Sequence, residues 1–285
     1  MNQNYGTLYL VATPIGNLED MTLRGVRILS EVDLIAAEDT RHSLKLLNHF
    51  DIKKPLVSYH DNNRISRARE LIERLREGKN LALVSDAGTP AISDPGEELV
   101  AMAIEEGIKV TAIPGCSASI TALIMSGLPT GRFAFEGFLP QKHSERVKFL
   151  ETLQFEDRTL IFYEGPHRVK EMLADTLKVL GDRRCAALRE LTKLHEEGVR
   201  GTVSQVISHF DQNDPRGEFV IVLEGSQKKA SENQKPDYSG LPIDQHMEIY
   251  LKQGYERMEA MKLTARDRNL SKREVYALLN RSDSK

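Results

Sequence analysis

What most constrains this chain is an alternation in its first 115 residues, where short β-branched and apolar runs recur between stretches with helical spacing. Strands separated by helices pair in parallel, so the pattern predicts βαβ units and an open parallel sheet. The expected strands are Thr7–Val11, Asp33–Ala37, Leu56–Tyr59, Leu81–Ser85 and Lys109–Ile113. Between them, Arg69–Glu77 is an expected helix closed by Gly78, and Glu97–Glu106 one entered through Pro95-Gly96. A second α/β block starts near Phe133, after the linker Gly127-Leu128-Pro129-Thr130-Gly131. Its expected strands are Thr159–Tyr163, Ala186–Leu188 and Phe219–Leu223, with a periodic helix at His167–Leu180. From Ser226 to Tyr238 the chain is polar and rich in Lys, Ser and Gln, the composition of a flexible joint. Beyond it, Asp244–Lys252 and Glu256–Asn280 have helical spacing. The expected class is α/β, divided into an N-terminal domain over 1–115, a second α/β domain over 116–225, and a joint with a helical module over 226–285.

A chain of 285 residues suits two such domains plus an extension. No apolar run approaches the ~20 residues of a membrane span. The N-terminal apolar stretch lacks a basic flank and runs directly into a turn, so it is expected to be a buried strand and the protein to be cytoplasmic. Cys116 and Cys185 stand far apart in apolar surroundings, which predicts two buried thiols rather than a disulfide or a metal site. The net charge of −3 is unevenly spread. From Lys262 to the end, Lys262, Arg266, Arg268, Lys272, Arg273, Arg281 and Lys285 face only Asp267, Glu274 and Asp283.

Open parallel sheets bind ligands beyond the carboxyl ends of their strands, which directs attention to the loops after Val11, Ser85 and Ile113. The first, Thr13-Pro14-Ile15-Gly16-Asn17-Leu18, joins a stiff turn to a glycine that lets the backbone approach a ligand. It lacks the GxGxxG spacing, so a Rossmann dinucleotide site is disfavoured. The second, Ser85 to Gly96, crowds two Asp, two Gly and two Pro into a rigid polar lip. There Asp86 can accept from a ribose or amino group, and the amides of Gly88 and Thr89 can meet a carboxylate. The third, Pro114-Gly115-Cys116-Ser117-Ala118-Ser119, opens a helix expected over Ser117–Met125 and offers its free amides.

The strings LYLVATPIGNLEDMTLR, AEDTRHSLKLL, SDAGTPAISDPG, IPGCSA, FEGFLP, FYEGPHRV and RELTKLHEE resemble the small-subunit rRNA methyltransferase I family, a branch of the tetrapyrrole (class III) methylases. The resemblance runs from Gly6 to Gly225. It implies two αβα domains with an S-adenosylmethionine cleft between them, a homodimer and no metal. It also implies 2′-O-methylation of a cytidine in the decoding centre of 16S rRNA. Carried over, the cofactor contacts are Pro14, Gly16, Asp86, Gly88, Thr89, Ile92, Ser117, Ala118, Tyr163 and Leu188.

The resemblance names no base, yet a ribose hydroxyl is a poor nucleophile until a neighbour takes its proton. Glu38, Asp39, His60 and Lys193 are the candidates, each following a strand; helix capping or surface ion pairing accounts equally for the carboxylates. For RNA contact the candidates are Arg41, Lys142, Arg146 and Arg168, with Arg266, Arg268, Lys272 and Arg273 in the basic tail. Two rival functions stay open at this point: methylation of a tetrapyrrole or other small acceptor on the same fold, and a non-catalytic RNA-binding assembly factor.

Overall fold

The structure, a computed structural model, describes residues 4–227, 238, 240–268 and 270–282. Strands β1 (Thr7–Val11), β2 (Leu34–Ala37), β3 (Leu56–Ser58), β4 (Leu81–Val84) and β5 (Lys109–Ile113) form a sheet in the order β3-β2-β4-β1-β5. Every pairing in it is parallel. Helices α1 (Leu23–Glu31), α2 (Thr40–His49), α3 (Arg64–Arg76) and α4 (Glu97–Glu105) make the crossovers. β2 and β4 are buried at every residue, because layers on both faces leave no position for a solvated side chain. One face carries a core around Leu8, Leu71, Leu83 and Leu99, the other a core around Val11, Leu29, Ile35 and Val84. These strands lie within one residue of expectation, whereas α3 begins at Arg64 rather than Arg69. Its first turn is exposed and carries no apolar periodicity before Ala68.

The second sheet, in the order β6-β7-β10-β8-β9, contains β6 (Phe133–Phe138), β7 (Thr159–Glu164), β8 (Arg184–Arg189), β9 (Glu197–Thr202) and β10 (Phe219–Leu223). It is mixed: β6 runs parallel to β7 and the other pairs are antiparallel. Helix α5 (Ala118–Ser126) covers one face, seating Ala122 and Leu123 against Ile161, Leu188 and Val222. Helices α6 (His143–Thr152), α7 (Val169–Leu180) and α8 (Val203–Gln212) cover the other, with Leu150, Leu173, Val206 and Phe210 against Phe162 and Ile221. β6 and β9 were not expected from the sequence. Both are edges: β9 carries Glu-Gly-Val-Arg-Gly-Thr with no apolar alternation, and β6 shifts register between Phe135 and Gly137. Cys185 is buried, and burial pushes its thiol up to about 12. Cys116 corrects the expectation, since it is only half-buried, in the loop after β5.

Both sheets belong to one compact unit that ends at Gln227. Helices α9 (Ile243–Lys252), α10 (Arg257–Asp267) and α11 (Lys272–Ser282) belong to a second, closed around Met247, Ala260, Met261, Ala265 and Val275. The stretch expected as one helix over Glu256–Asn280 is two. Ser271 stops it by building a capping box, its hydroxyl accepting from the Glu274 amide at 3.3 Å while the Glu274 carboxylate accepts from the Ser271 amide at 2.8 Å. Of the joint expected over 226–238, residues 228–237 lie outside the described residues. No helix among the described residues is long and apolar enough to cross a membrane.

Candidate active site

The three loops singled out in the sequence meet. The Thr13 amide donates to Gly88 O at 2.8 Å and the Gly88 amide returns a bond to Thr13 O at 3.1 Å, while Thr89 Oγ1 donates to Cys116 O at 2.9 Å. Gly88 is required here: its φ is +85°, and a Cβ would press on Ile15 Cγ2 at 3.2 Å. These bonds correct one expectation, because the Gly88 amide is committed to Thr13 and is not a free donor.

At the ends of β2 and β4, the carboxylates of Glu38 and Asp86 stand close enough to repel each other. The Asp39 amide donates to Asp86 Oδ1 at 3.0 Å. Burial, then the nearby Asp86 charge, raises the Glu38 carboxyl above its ordinary value. A third carboxylate, Asp94, stands on the same wall. Burial first and Glu38 second push it up to about 6, against a hydrogen bond from Ser85. Asp94 is held by a turn in which Ala91 and Ser93 adopt φ of 65° and 60°, conformations that side chains adopt only when their surroundings over-determine them.

The second sheet supplies the opposite wall. Tyr163, at the end of β7, accepts from the Ser119 amide in the first turn of α5 at 3.2 Å. After β8 the chain makes another strained turn, with φ of 50° at Glu190 and 66° at Thr192, and Lys193 Nζ donates to Glu190 Oε1 at 3.0 Å. The Lys193 stem lies over Gly16, where a Cβ would stand 2.4 Å from Lys193 Cγ. Between the walls lies a cleft of about 490 Å³, within the ~300–1,000 Å³ of small-molecule sites. Its lining joins apolar Ile15, Ile92, Leu191 and Val220 to a markedly acidic set of Glu38, Asp86, Asp94 and Glu190.

Strained loops at strand ends around an acidic, half-apolar cleft describe a site for a small ligand, and comparison with known proteins supplies its lineage. Residues 7–207 match the family model of the Tetrapyrrole (Corrin/Porphyrin) Methylases. The chain is 52% identical to Ribosomal RNA small subunit methyltransferase I of Halalkalibacterium halodurans over 95% of this chain and 93% of that one. It belongs to the tetrapyrrole methylases, in the small-subunit rRNA methyltransferase I branch. The Thermotoga maritima protein of the same name is 49% identical, all of it matched by 78% of this chain. Among solved structures, a cobalt precorrin-4 methyltransferase superposes with a TM-score of 0.58 at 18% identity, covering 76% of this chain and 94% of that one. Diphthine synthase gives 0.57 at 15%, covering 76% and 89%. At such identities these two speak for the methylase fold alone.

Against this methylase cleft the expected site residues divide. Glu38, Asp86, Gly88, Thr89, Ile92, Ser117, Ala118, Tyr163 and Lys193 line it. Pro14 and Gly16 do not; Gly16 lies beneath Lys193. Leu188 does not line it either, being buried within β8 against the α5 core, where it pairs with the cleft-lining Val220. Asp39 caps α2 and pairs with the Arg41 guanidinium at 2.9 Å, and this side-chain bond holds its carboxyl down at about 2, too acidic for a base. His60 is not in the cleft wall; its amide donates to Asn63 Oδ1 at 2.9 Å in the turn before α3.

The RNA candidates divide as well. Arg146 is 2% exposed and donates to Asp175 Oδ2 at 2.7 Å, with Glu171 at 3.4 Å, so it holds α6 to α7 and presents nothing to a phosphate. Arg168 is spent on the carbonyls of Leu139 and Pro140 and on Glu164. Arg268 binds His246 Nδ1 at 3.1 Å, Tyr238 O at 2.8 Å and Leu241 O, stitching the C-terminal helices. Arg41, Lys142, Arg266, Lys272 and Arg273 are exposed. Sequence reasoning missed Asp94 and Phe138, although Asp94 lies in the second half of the polar lip and Phe138 in the quoted string FEGFLP.

Proposed function

We propose that this cleft binds S-adenosylmethionine and that the protein methylates the 2′-hydroxyl of a cytidine in the 16S RNA of the small ribosomal subunit, in the cytoplasm. The observation that carries this reading is 52% identity over 95% of the chain to a Ribosomal RNA small subunit methyltransferase I; the cytidine 2′-hydroxyl follows from the family resemblance of the sequence motifs. The cleft suits the cofactor. Its apolar slot can take an aromatic base, Asp86, Thr89 and Ser117 offer polar partners to a ribose and an amino-acid end, and its carboxylates favour a sulfonium cation. The cofactor supplies an electrophilic methyl group on sulfur.

The chain's own residues must orient the acceptor and remove its proton. Asp94 is the proposed proton acceptor, with Glu38 beside it. Burial and mutual repulsion place Asp94 near the pH at which a base is both ionised and strong enough to help. Lys193, presented by its strained turn, holds the acceptor's phosphate. The same acidic wall disfavours a macrocycle fringed with carboxylates, which weighs against a tetrapyrrole acceptor. Arg41, Lys142, Arg266, Lys272 and Arg273, all exposed, grip RNA.

The deciding experiment maps ribose methylation in 16S RNA from cells with and without the protein, and offers labelled cofactor to purified small subunits and to a free tetrapyrrole. Loss of one 2′-O-methyl cytidine, restored by the protein, is expected. An unchanged map, or label entering only the tetrapyrrole, overturns the acceptor.

A further inference from the structure

Phe138 has no role in what precedes, yet it lines the cleft and is 59% exposed. An isolated exposed apolar side chain needs no explanation, but this one is turned toward the cleft by a specific device. In β6, Phe135 pairs with Ile161, Gly137 with Phe162 and Phe138 with Tyr163, so one residue of β6 is extra. Ile161 and Tyr163 belong to the α5 face of the sheet, Phe162 to the opposite core. Without the extra residue, alternation would place Phe138 on the Phe162 side, since a shift of one residue exchanges the two faces. The bulge moves it to the Tyr163 side, and Gly137 accommodates the turn with a φ of +62°.

The result is an aromatic corner. Phe138 meets Tyr163 edge to face at 5.6 Å, Phe135 meets the same ring at 4.9 Å, and more than half of Phe138 stays open. A Cβ on Gly137 would stand 3.4 Å from Ser93 Oγ, so the corner adjoins the turn that carries Asp94. Resting on the rRNA reading above, we propose that Phe138 is a positioning residue on which the unpaired base of the acceptor nucleotide stacks, setting its ribose beside Asp94 and Glu38. Modification of a nucleotide within folded RNA requires it to be unstacked, and an open aromatic ring replaces the lost stacking for any base.

The test compares wild-type, Phe138→Ala and Phe138→Trp proteins in methyl transfer to purified small subunits, with cofactor affinity measured by calorimetry and oligomeric state by sedimentation. With Phe138→Ala, kcat/KM for the subunit is expected to fall about 5- to 150-fold, the range for losing one stacked base, and Phe138→Trp to recover most of it. Cofactor affinity and oligomeric state should not move. An unchanged kcat/KM overturns the proposal. So does an equal loss of cofactor affinity, which would put the cofactor's adenine on the ring, or dissociation of an oligomer, which would make Phe138 an interface residue. If the wild-type protein transfers no methyl group to the subunit, the rRNA reading itself fails and this inference falls with it.

Discussion

Single residues in this cleft are defined by what their neighbours leave them free to do. Asp39 and Asp94 are the same side chain in the same protein, one held at about 2 by an arginine and the other raised to about 6 by burial and a like charge. Replacing Asp94 with Asn should therefore lower the methyl-transfer rate about 10²- to 10⁴-fold, the usual worth of a general base, a far larger loss than the drop in cofactor affinity that calorimetry records when one of the cleft's four carboxylates is neutralised. The wild-type rate should decline as pH falls through about 6. Stability carries the opposite sign. Because the folded carboxyl binds its proton more tightly than the unfolded one, with its ordinary value of 3.8, stability falls as pH rises from about 4 to about 6. Asp94→Asn should thus raise Tm at pH 8 and leave it nearly unmoved at pH 4. Arg146 gives the contrasting case. Arg146→Ala leaves Asp175 only the exposed His143 as a partner in the α6–α7 interface and should cost about 3 kcal/mol in urea denaturation, without altering RNA affinity of the folded fraction.

At the scale of elements, the parallel sheet was legible because each strand is a buried apolar run between amphipathic helices, a pattern confined to neighbouring residues. The two edge strands of the mixed sheet escaped that logic. β9 has one neighbour and little burial to satisfy, so its composition carries no alternation to read. The break between α10 and α11 was written in Ser271-Lys272-Arg273-Glu274, a capping signature masked by basic residues that continue across it. Ser271→Ala removes the cap and should destabilise α11 by about 1 kcal/mol. Faster amide exchange confined to α11, with the first unit unchanged, would be the observed effect.

At the scale of the whole molecule, Gly225 packs so tightly on Asp157 that a Cβ would stand 2.0 Å from its carbonyl oxygen, and the Ser226 amide donates to Glu156 O at 2.6 Å. The first unit thus closes just before Lys228, and a chain ending at Gln227 should bind cofactor normally. Its RNA affinity should be weaker and less steeply dependent on salt, since Arg266, Lys272 and Arg273 are gone; an unaltered salt slope would remove these helices from RNA binding. Ile120 and Ile124, one turn apart on α5, are exposed apolar side chains, and the homodimer that the family resemblance implies is expected to cover them. Ile124→Asp should shift sedimentation toward the monomer. By itself the sequence determined the parallel βαβ core, the three ligand loops and the methylase lineage, because each is written in contiguous residues whose spacing has a local physical meaning. Only the tertiary structure decided that Arg146 is a buried strut, that burial beside Glu38 raises the Asp94 carboxyl, and that a bulge turns Phe138 into the cleft. Charge, burial and facing at those positions depend on partners tens of residues away, and no local pattern encodes which partner a side chain will meet.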